Sequence, residues 1–170
     1  MDTDISIYRR SLYMYWKRTS PHPMMTLFDA PSRESSCVQR SRTSTSSQSL
    51  ALFNEIQRIE TARKLAERLI KYDKQDKARM EYLFSLLTSR KPKAVEATAL
   101  SELLGQSKDR FAESPEDANE ILSQGLSPKD DSLESAEVAA WTQVAATVLA
   151  SDPAILLYYC LLYTSPSPRD

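Results

Sequence analysis

From residue 49 onward, apolar positions recur at threes and fours. Leu52, Ile56, Ile59, Ala62, Ala66, Leu69 and Ile70 form one stripe, widened by Leu65, and predict a helix over 49–72. Arg58, Lys64, Glu67, Arg68 and Lys71 fall largely off that stripe and read as a solvated face. A second helix is expected over about 75–90, with Tyr82, Leu83, Leu86 and Leu87 inward and Pro92 closing it. A third, over about 93–112, turns Val95, Ala99, Leu103 and Leu104 inward. Ser114-Pro115-Glu116-Asp117 starts a fourth: the serine caps, the proline fits the first turn, and the acids favour the dipole. It ends near Gly125, a residue suited to a helix C-terminus. The fifth spans about 133–150, with Ala136, Ala140, Val144 and Val148 on one face and Trp141 beside them. Short connections between them favour a mainly all-α fold, a bundle of about five helices.

Residues 1–48 read differently. Tyr8, Leu12, Tyr13, Tyr15 and Trp16 make an aromatic, extended arm, and Pro21 and Pro23 stop any regular element. Phe28-Asp29-Ala30-Pro31 reads as a turn, and the Ser/Thr-rich stretch 41–49 as a loop leading into the first helix. The expected organisation is an arm over 1–48, continuing a domain truncated upstream, a bundle over 49–150, and a tail over 151–170. The tail's end, CLLYTSPSPRD over 160–170, breaks with what precedes it. It looks like a translated sequencing-adapter read-through and is expected to be non-native from residue 160, so it is set aside from fold reasoning.

Composition narrows the chemistry. With 26% charged and 41% hydrophobic residues the chain can build an ordinary core. Only 2 Gly stand against 9 Pro, which excludes glycine-rich phosphate loops and folds that need many glycine turns. Residues 1–45 are mildly basic and the rest is acidic, for a net charge of -1. That makes nucleic-acid binding through the basic arm the weakest of the functional alternatives. Cys37 and Cys160 fit no metal spacing, and the single histidine, His22, lies between two prolines, so no metal is expected. The N-terminus shows no signal peptide, and no apolar run reaches the roughly 18 residues of a spanning helix.

Three groups of residues are candidates for a site, each with a structural alternative. Asp29, Arg33 and Glu34 form a polar cluster. Two carboxylates at a set separation serve glycoside hydrolysis, whereas acids beside arginines also make structural ion pairs. Arg40, Arg42, Thr43 and Thr45 suit a sulfate, phosphate or uronate, because guanidinium forks match such anions; alternatively they pin the arm to the first helix. Trp16, Lys17 and Arg18, with Tyr13 and Tyr15, offer a stacking platform for bases or sugar rings, or buried core.

The run RSLYMYWKRTSP over 10–21, then Phe28-Asp29-Ala30-Pro31 and Arg33-Glu34, then RSRTST over 40–45 with Gln48, Leu50 and Asn54, is distinctive. In that order these residues resemble the C-terminal domain of unknown function, PSD type, of planctomycete-type cytochrome-c-associated proteins. Ala62-Arg63 and Leu65-Ala66-Glu67-Arg68 are similar to its following helix. Arg90, Pro92 and Glu96 fit its R-x-P-x-x-x-E element, and Ala139-Ala140-Trp141 its closing helix. The resemblance spans roughly residues 8–150. Departures are clear: Thr43-Ser44-Thr45-Ser46 stands for the family's Thr-Asn-Thr-Pro, and Phe53-Asn54-Glu55-Ile56 for Leu-Asn-Asp-Pro. A cysteine expected near Ser36 is displaced to Cys37, and Ala150-Ser151-Asp152-Pro153 replaces Asn-Leu-Asp-Glu. The resemblance implies an exported, multidomain setting in the periplasm, cell envelope or outside the cell. Other domains of the same polypeptide lie upstream and are partners, often with a haem-binding domain among them. The chain has no Cys-x-x-Cys-His, so any haem lies outside it. The expected role is a scaffold or interaction module. The alternative is part of a system that degrades polysaccharides or binds acidic or sulfated glycans. No catalytic constellation is recognised.

Overall fold

The most apolar of the expected helices lies at the centre of the bundle. The computed structural model describes residues 13, 15–17, 19–32, 34–39, 41 and 43–155. Among them are eight helices and no strand: α1 (Pro23–Leu27), α2 (Ser46–Asn54), α3 (Ile56–Tyr72), α4 (Asp76–Thr88), α5 (Ala94–Glu113), α6 (Pro115–Ser123), α7 (Ser135–Leu149) and α8 (Asp152–Ile155). The chain divides into two compact units, residues 1–48 and 49–170, and α2 runs across the division.

In the second unit α3, α5 and α6 pack along α7, with smaller contacts from α4 and α8. α7 buries Val138, Ala139, Ala140, Trp141, Thr142, Val144, Ala145 and Val148. That set covers most of its circumference, as a helix enclosed by neighbours requires. The surrounding helices contribute Ala62, Ala66 and Leu69, then Met80, Leu83 and Phe84, then Leu100, Leu104 and Phe111, then Ala118 and Leu122. No helix among the described residues is long and apolar enough to cross a membrane.

Several expected details are corrected. Pro23 does not stop regular structure but opens α1, where its missing N–H costs nothing. In α5 the inward face is Leu100, Leu104, Ser107 and Phe111; Val95 is 81% exposed and Ala99 is exposed. In α4 Met80 and Phe84 are buried and Leu86 faces solvent, because the stripe continues from Arg79 and Leu83. Ser114 stands at the N-cap of α6, but its hydroxyl makes no cap bond.

The expected first helix is two helices, broken at Glu55, whose backbone is extended (φ -79, ψ 120). The break falls where the family carries proline: Ile56 stands at the first position of α3, and Ser46 at the first position of α2. Proline is preferred there, since the first N–H of a helix has no partner within it. The helix starts persist here without it. Ile56→Pro is therefore expected to stabilise the chain by about 0.5–1 kcal/mol, because the preceding residue is already extended and Ile56 is half-exposed. A denaturant titration checks this; a loss of stability means the N–H of Ile56 is needed.

The two glycines are expected to respond in opposite directions. Gly125 has φ +93, and a Cβ there would lie 2.4 Å from Glu60 Oε2. Gly125→Ala adds backbone strain to a clash and is expected to cost about 2 kcal/mol or more. Gly105 lies inside α5, and a Cβ there meets nothing within 4 Å. Gly105→Ala is expected to stabilise by about 0.5–1 kcal/mol. Thermal melts of the two variants should move apart; shifts of the same sign contradict this placement.

Candidate functional site

In the first unit the turn after α1 is built on Asp29. Its φ of +55 places it in the left-handed region that ends many helices. The Ala30 N–H donates to Met25 O (2.8 Å) and the Asp29 N–H to Thr26 O (3.3 Å), so the exposed carbonyls of α1 are closed off. Asp29 Oδ2 accepts from the Thr43 N–H (2.8 Å) and from Thr43 Oγ1 (2.7 Å). Gln48 Nε2 in turn donates to Thr43 Oγ1 (3.2 Å) and to Leu27 O (2.9 Å).

Gln48 is buried, and its remaining groups cap α2. Its N–H donates to Thr45 Oγ1 (3.3 Å), and its Oε1 accepts from the Thr45 N–H (3.2 Å). This is a reciprocal capping box, with Thr45 as the cap and Gln48 three residues on. Asp29, Thr43, Thr45 and Gln48 thus form one network that ties the α1 turn to the start of α2. A shallow depression beside it is lined by Pro23, Thr26, Leu27, Thr43, Thr45 and Ser47. Gln48 is the residue not assigned from sequence as part of the site; the Thr-x-x-Gln spacing is the signal that marks it.

The other candidates are arranged less closely. Trp16 is half-buried, Lys17 is exposed, and Asn54 is exposed at the end of α2. Glu34 is exposed in the loop, where its N–H donates to Ser32 Oγ (3.4 Å). Arg18, Arg33, Arg40 and Arg42 lie outside the described residues.

The second unit holds a larger polar constellation on α3. Glu60, Arg63 and Glu67 are buried; of these Glu67 was expected on the solvated face, and its burial corrects that expectation. Glu60 Oε1 accepts from the Ser127 N–H (2.8 Å) and Oε2 from the Leu126 N–H (3.2 Å). The Arg63 guanidinium donates to Leu122 O (2.6 Å) and to Ser127 O. Glu67 Oε1 accepts from the Asp130 N–H (3.3 Å), Lys64 Nζ donates to Pro128 O (2.6 Å) and to Glu67 Oε2 (2.9 Å), and Lys71 pairs with Asp130. The hydrogen bond from Lys71 raises its ammonium's pKa and, with the Ser132 hydroxyl and N–H, holds the Asp130 carboxyl far down. One helix face therefore grips the backbone of residues 122–130, which has no regular partner of its own. At the other end of α3, Arg79 donates to Asp73 O and pairs with Glu137 (2.6 Å), with its guanidinium 5.7 Å from the Trp141 ring centroid.

A third constellation gives the R-x-P-x-x-x-E element its physical meaning. Arg90 holds both oxygens of Glu96, at 2.8 and 2.7 Å, across the corner marked by Pro92. Glu96 Oε2 also accepts from the Lys93 N–H (2.7 Å), half a capping box at the start of α5. Arg90 lies over the Phe84 ring, 4.8 Å from its centroid. The Arg90 hydrogen bond pulls the Glu96 pKa down to about 2 from the ordinary 4.5. A depressed carboxylate stabilises the fold above pH 4.5 and loses that contribution as pH falls toward 2. Glu96→Gln is expected to lower the melting temperature at neutral pH and to narrow its gap to wild type between pH 4.5 and 2. A gap unchanged across that window contradicts the assignment.

What unites these groups is their use. Each joins an irregular segment or helix end to a helix, and among the described residues no three His, Cys, Asp or Glu side chains converge as metal ligands. The class is an all-α module whose buried polar side chains hold its own backbone. The chain belongs to the PSD1 family, a protein of unknown function (DUF1553), matched over residues 1–104. The match includes the arm network, the Arg63 and Glu67 positions and the Arg90–Glu96 corner, and ends within α5. No curated protein and no solved structure matches the chain.

Proposed function

We propose that the chain is a helical scaffold module that presents the aromatic residues of its first unit to a partner protein domain. One observation carries this reading: Tyr13 is 69% and Tyr15 is 87% exposed, on a two-residue spacing, beside the exposed Lys17. Exposed large aromatics in pairs favour a protein interface, where tyrosine supplies contact area at low entropic cost. The use of Asp29, Thr43 and Thr45 in a structural network supports a scaffold over an acid–base site. In this reading the module is exported and works beside other domains of a longer polypeptide, in which any haem is carried.

A photo-crosslinking residue placed at Tyr13 or Tyr15 in cells tests the proposal. Crosslinks concentrated on one polypeptide, with none from the same residue at exposed Ala112, support it. Equal crosslinking from all three positions contradicts it. Cell fractionation tests the location, and a wholly cytoplasmic pool overturns that part.

A further inference from the structure

We infer that the α3–α4 hairpin carries a docking surface for an anionic polysaccharide, meaning a chain of pyranose rings bearing carboxylate or sulfate. Tyr72 ends α3 and Tyr82 lies on α4; their rings stack at 4.1 Å between centroids, 9° from parallel. Tyr72 is 58% exposed, and Leu86, one helical turn beyond Tyr82, is 42% exposed. The two rings cover each other's inner faces, so the outer face of exposed Tyr72 is the flat apolar surface of the hairpin, the kind on which the C–H face of a sugar ring stacks.

The cations beside it are unused. Arg68 stands one turn before Tyr72, and its guanidinium lies 5.5 Å from the Tyr82 centroid. It makes no hydrogen bond or ion pair among the described residues, and neither do exposed Lys74 and Lys77 of the adjoining corner. This contrasts with Glu60, Arg63, Lys64, Glu67 and Lys71 of α3, which are committed to residues 122–130. Nearby acids are engaged as well. Asp73 accepts from the Gln75 N–H (2.8 Å), Asp76 lies between Arg79 and Lys108, and Glu81 pairs with Lys91. Asp73 keeps its negative charge, because a backbone N–H does not neutralise it, but Arg68, Lys74 and Lys77 still leave the hairpin a surplus of positive charge, and a guanidinium matches a carboxylate or sulfate with two parallel bonds.

Charge density selects the polymer. Nucleic acid carries a charge every few ångströms and calls for a strongly basic face, whereas this chain has a net charge of -1 and three free cations at one corner. A polysaccharide with about one anion per ring, stacked on a single aromatic platform, fits that supply. The surface lies wholly in the second unit and does not depend on the proposed role of the arm.

The test is affinity electrophoresis of the full chain through gels containing polygalacturonate, dextran sulfate, neutral dextran or single-stranded DNA. Retardation by one or both anionic polysaccharides, and not by neutral dextran, is expected. Tyr72→Ala and Arg68→Gln should each weaken it about tenfold with unchanged circular dichroism, since both side chains are exposed. Lys129→Ala, which removes an exposed cation paired with Asp131, should leave it unchanged. Retardation that survives both hairpin variants, equal retardation by DNA, or none by either polysaccharide overturns the proposal.

Discussion

Trp141→Ala is expected to be the most damaging single substitution, lowering stability by about 3–5 kcal/mol and the melting temperature by about 10 °C or more. Trp141 is fully buried on α7, the helix on which the rest of the second unit packs. Truncation leaves a cavity the size of an indole at a place bounded by rigid helices, so the surroundings cannot collapse to fill it. It also removes the ring beneath the Arg79 guanidinium, which bridges the end of α3 to Glu137. Trp141→Phe is expected to cost much less. Among the described residues the buried indole Nε1 has no hydrogen-bond partner, so the smaller ring removes that donor together with some volume. Chemical denaturation of both variants checks this; equal losses mean that cavity volume does not decide the outcome.

Arg63→Leu is expected to cost about 3 kcal/mol, although leucine is apolar and about as easily buried. Arg63 is 2% exposed, and its guanidinium bonds two carbonyls, of Leu122 and Ser127, in the stretch whose Leu126 and Ser127 N–H groups are held by Glu60. Leucine satisfies neither, and two carbonyls are then left without a donor in the interior. Arg63→Lys keeps the charge but lacks the fork that reaches two acceptors at once, so it is expected to recover only part of the loss. Denaturant unfolding of the two variants measures this. A cost below about 1 kcal/mol for Arg63→Leu means that the two bonds are replaced by water.

These two residues show how far the sequence could be read. The apolar periodicity located α4, α5 and α7 and the end of α3 within a few residues, because these helices bury apolar stripes against one another, but it ran α2 and α3 together. It misjudged the inward face of α5, because a run with apolar residues at Val95, Ala99, Leu100, Leu103 and Leu104 fits two neighbouring stripes, and only the position of α7 chooses between them. It also placed Glu67 of α3 on the solvated face, whereas Glu67 is buried. Periodicity records which residues are apolar, and cannot register that a loop 60 residues later brings bare backbone amides and carbonyls to that face. In the arm, the turn at Asp29 was legible; the helix after the Ser/Thr stretch was expected too, but α2 begins at Ser46, inside the stretch read as loop. The bond between Asp29 and Thr43 was not, since it joins residues 14 apart through a backbone whose path is set by Gln48. Short motifs of the family proved to be structural connections: the AR-x-LAER run is the clamp on 122–130, and R-x-P-x-x-x-E is the corner between α4 and α5.

In the clamp on residues 122–130, α3 carboxylates hold loop amides. Amide hydrogen exchange at Leu126, Ser127 and Asp130 tests it directly. Slow exchange is expected in the native chain, as for helix amides. Glu60→Ala should release Leu126 and Ser127 while leaving Asp130, held by Glu67, protected. Exchange at unstructured rates in the unmodified chain, at all three amides, would contradict it.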